Sequence, residues 1–194
     1  MSAVPHDPGA AAARPGLPGE EPLDPAQIPE AYWRAFSVAA FAMNRFIVDH
    51  MIRAARLFDD DLEAMVIFGV LAHLNVAHLM PPGTRPSQAL NAQGRMPGVQ
   101  ARLRPVRLRD LCQITGRPRE TIRRKLERLE AQGRVLRSAE GYVCNAQSVD
   151  EAMRALSADG VRRYMVAAQQ IGAALRDAER ALKADAQGAA GRAT

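Results

Sequence analysis

The sequence predicts a mostly α-helical protein with one small β-hairpin in a central basic segment. Long stretches repeat apolar residues every three or four positions, as amphipathic helices do. One short segment instead shows two strand-like runs around a glycine-containing turn. Of the 194 residues, 47% are hydrophobic and 24% are charged. This balance is typical of a globular protein and excludes a fibrous or wholly disordered chain.

Both ends of the chain are predicted to be flexible. Residues 1–29 contain seven of the thirteen prolines and little that could form a core, so we expect a disordered Pro/Ala-rich tail. Residues 185–194 are rich in alanine and glycine and are expected to form a second flexible tail. The N-terminus has no basic segment followed by an apolar run, and two cysteines are too few for a disulfide framework. We therefore expect a cytoplasmic protein.

Residues 30–80 are predicted to form a helical N-terminal region. Its first helix carries one apolar stripe, which we interpret as core or dimer interface, with a pocket for an unknown small-molecule effector as the alternative. The stripe consists of Tyr32, Phe36, Ala40, Met43, Ile47, Met51, Ala54 and Phe58.

A second helix should begin at Asp59–Asp61 and end before Pro81. Asp60 and Glu63 have the spacing of a capping box. The helix contains a long uncharged stretch, but polar side chains such as Asn75 interrupt it. A buried helix explains this stretch better than a membrane span does.

Positive charge is concentrated in one segment. Residues 81–101 have little periodicity and are predicted to be a linker loop. Residues 102–137 then hold 12 basic and 4 acidic side chains, a net charge of +8, whereas the rest of the chain holds 14 and 17, a net charge of −3. The overall charge of +5 is therefore local, and this segment suits an anionic partner.

Residues 102–146 are predicted to contain two short helices joined by a tight turn. The first is Leu108–Thr115, and Gly116 supplies the positive φ that the turn requires. Pro118 stands in the first turn of the second helix, where its missing N–H costs nothing. The second helix covers about residues 118–132 and ends at Gly133. Its buried stripe is formed by Ile122, Leu126 and Leu129.

A β-hairpin is predicted to follow, with strands at 135–137 and 142–144 and an additional short strand at Val106. Helix, turn, helix and hairpin in this order are typical of a winged helix-turn-helix. The fold prediction is therefore a mostly α protein in which a winged helix-turn-helix (residues 102–146) is flanked by N- and C-terminal helices.

The segment from Ile114 resembles the winged helix-turn-helix of the cyclic-AMP receptor protein/FNR family of bacterial regulators. The resemblance is carried by I-T-G-R-P-R-E-T-I, which begins at Ile114, and by Leu126, Leu129, Glu130 and Gly133. The segment is also similar to the DNA-binding parts of MarR- and GntR-type regulators. The likeness covers residues 104–145 only. Because residues 30–80 read as helices, the family's all-β cyclic-nucleotide domain is absent and no cofactor is expected.

The resemblance implies that the second helix enters the major groove and reads bases. The resemblance implies that Arg119, Glu120 and Arg124 read bases. We expect Arg123 to read bases as well, because it points outward on the same helix. Arginine can bind guanine O6 and N7 together, and glutamate can accept from cytosine N4. The side chains expected to contact phosphate are Arg117, Thr121, Arg128, Arg134, Arg137 and Ser138.

Residues 147–184 are predicted to form a C-terminal helix that begins at a capping box of Ser148 and Glu151. An apolar seam with heptad-like spacing follows, and we interpret it as the main contact of a homodimer, with packing inside one subunit as the alternative. The expected interface residues are Val161, Tyr164, Ala168, Ile171, Leu175 and Leu182.

The sequence therefore predicts a bacterial-type transcriptional regulator that binds specific sites on double-stranded DNA as a homodimer. The alternative is a winged-helix module for protein contacts, such as a chromosome- or replication-associated adaptor. The sequence shows no catalytic triad, paired catalytic carboxylates or phosphate loop. His73 and His78 are five residues apart, about 140° around a helix, so no metal site is expected. The chain is not expected to be an enzyme.

Overall fold

The computed structural model describes residues 28–79 and 96–190. Most of these residues are helical, and they contain one two-stranded antiparallel sheet, which confirms the mostly α-helical prediction. The helices are α1 (Glu30–Arg56), α2 (Leu62–Val76), α3 (Val99–Arg102), α4 (Leu108–Thr115), α5 (Arg119–Ala131) and α6 (Glu151–Ala190). The strands are β1 (Val135–Arg137) and β2 (Tyr142–Cys144), and short 3₁₀ turns cover Ala77–Leu79 and Ala146–Ser148.

The described residues form two compact units. The hairpin unit comprises residues 66–79 and 96–149, and the long-helix unit comprises residues 28–65 and 150–190. The boundary therefore lies within α2, whereas the sequence placed all of residues 30–80 in one region. Part of the expected linker, Val99–Arg102, is helical. The remainder of that linker up to residue 95, the N-terminal tail up to residue 27 and residues 191–194 lie outside the described residues.

The long-helix unit consists mainly of α1 packed antiparallel on α6. The contact surface of α1 is a stripe of small side chains, and its members are at most 6% exposed: Ala31, Ala35, Ala39 and Ala42. Two of them form a buried cluster with Ala178 of α6, against which Leu175 and Leu182 pack. The apolar stripe expected from the sequence is only partly buried. Ala54 and Phe58 are at most 7% exposed, whereas Phe36, Met43 and Ile47 remain 39–46% exposed beside the contact with α6.

Ion pairs between α1 and α6 reinforce their alignment. Asp49 on α1 contacts Arg163 on α6 at 3.3 Å, and Arg163 also binds Asp159 at 2.6 Å. The hydrogen bonds from Arg163 and from its neighbour Arg162 together lower the pKa of Asp159 to about 2. At the other end, Arg34 binds Asp185 at 2.6 Å. α6 accordingly continues to Ala190 through residues that the sequence assigned to a flexible tail.

The caps of α2 and α6 differ from the predicted capping boxes. Asp61 Oδ1 accepts a hydrogen bond from Ala64 N at 3.0 Å, whereas Asp60 has a left-handed φ of 59° in the preceding turn. At the start of α6, Asp150 Oδ1 accepts from Met153 N at 2.8 Å. Ser148 instead donates its hydroxyl proton to a carbonyl within its own 3₁₀ turn. Both predicted boxes are therefore wrong, and Asp61 and Asp150 are the N-caps.

Helix α2 with its 3₁₀ extension, Leu62–Leu79, is the one described segment that is long and apolar enough, by length and composition, to cross a membrane. Three of its side chains are at most 1% exposed: Ile67, Leu71 and Asn75. Asn75 also makes hydrogen bonds to residues far along the chain in the hairpin unit. Although only 28% of this segment is buried, these contacts show that one side of α2 packs within the folded chain.

Gly141 occupies a position in the hairpin where a side chain does not fit. Its φ is +147°, and a Cβ atom there would lie 2.5 Å from the carbonyl oxygen of Val106. This close approach exists because Val106 pairs with Tyr142 through two backbone hydrogen bonds of 2.9 Å. The predicted short strand at Val106 is thus present as a single bridge.

Replacing Gly141 by alanine is therefore expected to lower the free energy of unfolding by about 3 kcal/mol, since backbone strain and overpacking each cost roughly 1–3 kcal/mol. Urea denaturation measures this change. Glu140→Ala, at an exposed position in the same turn, is the control and should shift the midpoint little. Equal midpoints for the two variants would contradict this account of Gly141.

Candidate nucleic-acid interface

A three-residue turn sets α5 against α4. Gly116 has a φ of 65° and donates its N–H to Cys112 O at 2.9 Å. The hydroxyl of Thr115 donates to Leu111 O at 2.6 Å and accepts from Arg117 N at 3.3 Å. Each of these three hydrogen bonds joins residues that are at most four positions apart in the chain. The turn that the sequence predicted is confirmed, and these local hydrogen bonds help to stabilise it.

Helix α5 is anchored by its buried side. Ile122, Leu126 and Leu129 are at most 1% exposed, as their spacing predicted. The helix ends where Gly133, with a φ of 71°, donates its N–H to Glu130 O and the next amide bonds to Leu129 O. This pattern is a Schellman motif, which needs a residue that tolerates positive φ. The anchored stripe leaves the basic side chains of α5 on its outer surface.

The exposed basic side chains of α5 and its preceding turn define what we call the α5 surface: Arg117, Arg119, Arg123, Arg124 and Arg128. Thr121 lies among them and is half-buried. Within the part of the chain that the structure describes, no hydrogen bond is found from the guanidinium groups of Arg119 and Arg124. Because both side chains are exposed, their donors are available to a ligand.

Arg123 differs from its neighbours because two carboxylates hold it. Its Nε and Nη2 donate to Glu120 at 2.9 and 2.5 Å, and its Nη1 donates to Glu127. The bond from Arg123 lowers the pKa of Glu120, which keeps that carboxylate ionised. Arg123 is therefore occupied on α5, and its observed contact orients Glu120. Glu127 was not singled out from the sequence, although its spacing of four residues from Arg123 is typical of a helical ion pair.

The hairpin forms as predicted, with Val135 opposite Cys144 and Arg137 opposite Tyr142. Arg137 is exposed, and its guanidinium carbon lies 5.8 Å from the centre of the Tyr142 ring. This cation–π contact positions a cationic head at the tip of the hairpin.

The other two residues expected to bind phosphate on the hairpin have structural contacts. The hydroxyl of Ser138 donates to Gly141 O and accepts from Glu140 N, both at 3.2 Å, and so closes the turn. Arg134 is half-buried at the base of the hairpin, where its carbonyl accepts from Asn145 N at 2.9 Å. Arg137 is therefore the most accessible of the three.

Two side-chain amides that sequence reasoning missed hold the end of β2. Asn75 is fully buried and donates to the carbonyls of Arg104 and Tyr142 at 2.7 and 3.2 Å. Its oxygen accepts from Cys144 N at 2.8 Å. Gln100 of α3 donates to Cys144 O at 3.3 Å and accepts from Ala146 N at 2.7 Å. These bonds tie α2 and α3 to the hairpin and so determine where the hairpin stands.

Neither cysteine has the features of a reactive site. Burial raises the pKa of the Cys144 thiol to about 12, so it stays protonated at neutral pH. Cys112 is half-buried and unpaired with another cysteine. Among residues 28–79 and 96–190, no group of three or more His, Cys, Asp or Glu side chains could hold a metal ion.

The expected dimer residues of α6 are divided between different environments. Val161 and Tyr164 are 61% and 49% exposed. Ala168 and Ile171 are half-buried. Leu175 and Leu182, in contrast, pack on the alanine cluster of α1 in the same chain. The C-terminal half of the predicted dimer seam therefore packs inside the long-helix unit of a single chain.

In comparisons with known proteins, no family model, no curated protein and no solved structure matches the chain.

Proposed function

We propose that this protein is a bacterial-type transcriptional regulator that binds specific sites on double-stranded DNA. In this proposal residues 102–146 form a winged helix-turn-helix, and α5 enters the major groove. One observation carries it, namely the α5 surface. Exposed arginines project from a helix whose opposite side is fully anchored in the hairpin unit. The major groove of B-form DNA admits an α-helix, and arginine is its commonest specific reader.

The contacts on α5 suggest a division of roles. Arg119 and Arg124 read guanine, because their guanidinium groups are exposed. Glu120 accepts from cytosine N4. Arg123 acts through Glu120 as a positioning residue, since its Nε and Nη2 both donate to that carboxylate. This revises the direct base-reading role that the sequence suggested for Arg123.

Phosphate contacts come from the residues around this surface. Arg137 is the main wing contact, because it is exposed and held by the Tyr142 ring. Arg117, Thr121, Arg128, Arg134 and Ser138 complete the proposed set. Four further exposed arginines on the hairpin unit add to the local charge: Arg102, Arg104, Arg107 and Arg109. Such a field attracts DNA of any sequence and makes binding depend on salt.

The regulator is proposed to work in the cytoplasm, as a homodimer and without a cofactor. A single winged helix covers few base pairs, whereas two copies related by a two-fold axis read half-sites about 34 Å apart. The likeness of residues 114–133 to the cyclic-AMP receptor protein/FNR family supports the same function.

One observation favours the alternative of a winged-helix module that binds another protein. Leu136, in the hairpin strand β1, is 43% exposed. An apolar side chain at this position contributes nothing to a phosphate contact and suits a protein surface.

Selection of bound sites from a random pool of duplex DNA distinguishes the two functions. A DNA-reading regulator is expected to enrich a two-fold symmetric site with half-sites one helical turn apart. Its affinity for random DNA should also fall steeply as salt rises, because each phosphate contact releases counterions. A pool that stays random, together with weak binding that ignores salt, would refute the regulator and favour the protein module.

A further inference from the structure

Helix α1 has more apolar surface than its contact with α6 covers. The alanine stripe faces α6, and about 100° further around the helix lie Phe36, Met43 and Ile47. These three side chains remain 39–46% exposed. The rings of Tyr32, Trp33 and Phe36 contact each other at centroid distances of 5.4–6.2 Å and extend this surface towards the start of α1.

Helix α6 contributes to the same side of the pair. A shallow groove of about 330 Å³ lies on this side of the pair. Residues of α1 form most of the groove, and Ile171 of α6 forms one wall. Among the residues that line the groove, Tyr32 has the one ionisable side chain. We call this surface the aromatic face, and its residues are Tyr32, Phe36, Ala39, Ala40, Met43, Asn44, Ile47 and Ile171.

The composition of the aromatic face suits contact with its own copy. In a two-fold interface the same patch of both copies meets face to face, so a patch without charged side chains can meet itself without repulsion. The opposite side of the pair is also apolar, with Val38 and Phe41 54% and 69% exposed. It includes the charged side chains Arg34, Arg45 and Asp177, however, so a dimer contact there would have to desolvate charges.

Shape and size also fit a second copy. The large side chains Phe36, Met43 and Ile47 form a ridge beside the small side chains Ala39 and Ala40, so the ridge of one copy can enter the groove of the other. The 27 residues of α1 span about 40 Å, and two packed helices are about 19 Å wide. That footprint approaches the roughly 800 Å² per partner of a standard stable interface.

We infer that the aromatic face binds a second copy of this chain, so that the α1–α6 pairs of two protomers form a four-helix bundle. The main contact is therefore α1 with the Ile171 side of α6, and the C-terminal seam alone does not form it. This inference stands on the long-helix unit and does not depend on the proposed DNA binding, although a dimer would supply the two reading helices.

Sedimentation velocity of the full chain tests the inference. The wild type is expected to be a dimer at micromolar concentration, and Phe36→Glu with Ile47→Glu should weaken dimerisation at least 100-fold. The matched control is Phe41→Glu with Ile52→Glu on the opposite side, at positions that are even more exposed. It should remain a dimer. Circular dichroism checks that each variant keeps its helices.

A monomeric wild type would overturn the inference, and so would a control that dissociates as readily as the aromatic-face variant. If that variant loses its helices, cross-linking replaces it. In a Cys112→Ser, Cys144→Ser background, Ala40→Cys should form a disulfide between protomers on mild oxidation, whereas Phe41→Cys should not. A dimer in which neither Ala40→Cys nor Met43→Cys cross-links would refute this interface.

Binding to random DNA provides a separate readout for the proposed function. A monomeric aromatic-face variant should keep the affinity of one winged helix for random duplex DNA and lose only the tight binding to two half-sites. A dimer that binds no DNA would leave the interface standing and refute the regulator.

Discussion

Replacing Asn75 by leucine is expected to lower the free energy of unfolding by about 4 kcal/mol. Leucine has nearly the same shape but makes none of the three side-chain hydrogen bonds. Cys144 N and Arg104 O would each lose the partner that Asn75 provides, while Tyr142 O would keep its bond from Val106 N. A buried backbone group without a partner costs roughly 1–3 kcal/mol, which gives the expected sum.

Urea denaturation of the full chain measures this loss. Gln113→Leu is the matched control, because it removes a side-chain amide from an exposed position of the same unit. It should change the free energy of unfolding by less than about 0.5 kcal/mol, as surface substitutions usually do. If Asn75→Leu were no more destabilising than Gln113→Leu, the buried amide would not hold the hairpin in place.

The second large effect concerns DNA. Arg124→Ala is expected to weaken binding to the selected site 10- to 100-fold, since one bidentate contact to guanine provides about 1–3 kcal/mol of discrimination. Affinity for random duplex DNA should fall only slightly, because most of it comes from phosphate contacts elsewhere. Fluorescence anisotropy with the selected site and with a scrambled site measures both quantities.

Two further variants make the assignment of roles sharper. Arg137→Ala should weaken binding to all sequences alike, because a contact to phosphate carries no base information. Arg123→Gln should relax preference only at the base that Glu120 reads, since its effect passes through that carboxylate. If Arg124→Ala and Arg137→Ala lowered specific and random binding in the same ratio, the proposed reading by Arg124 would be wrong.

Local chemistry made much of the hairpin unit predictable. Gly116 and Gly133 mark positions where the chain needs positive φ, and both have it. The spacing of Ile122, Leu126 and Leu129 predicted which side of α5 is buried. The strand residues followed from two short apolar runs around a turn. Each of these signals lies within about ten consecutive residues, so a short window of sequence contains it.

The capping residues show where local signals become ambiguous. Several neighbouring acidic residues could each cap α2, and the backbone conformation selected Asp61 because Asp59 and Asp60 are in the preceding turn. In the same way Arg123 could bind DNA or carboxylates, and the helix brings Glu120 and Glu127 to it from both sides. In both cases the sequence indicated the candidate residues but did not predict which of them makes the contact.

Tertiary structure alone decided the role of Asn75 and the contact face of α1. The partners of the Asn75 side chain lie 29 to 69 residues away, so no window of sequence contains them together. Helix α1 is apolar on more than one side, and periodicity identified its large side chains. Packing against α6 used the alanines instead, because small side chains let two long helices approach closely. The sequence by itself determined that α1 has an apolar stripe, and only the packing decided that Phe36, Met43 and Ile47 of this stripe stay exposed.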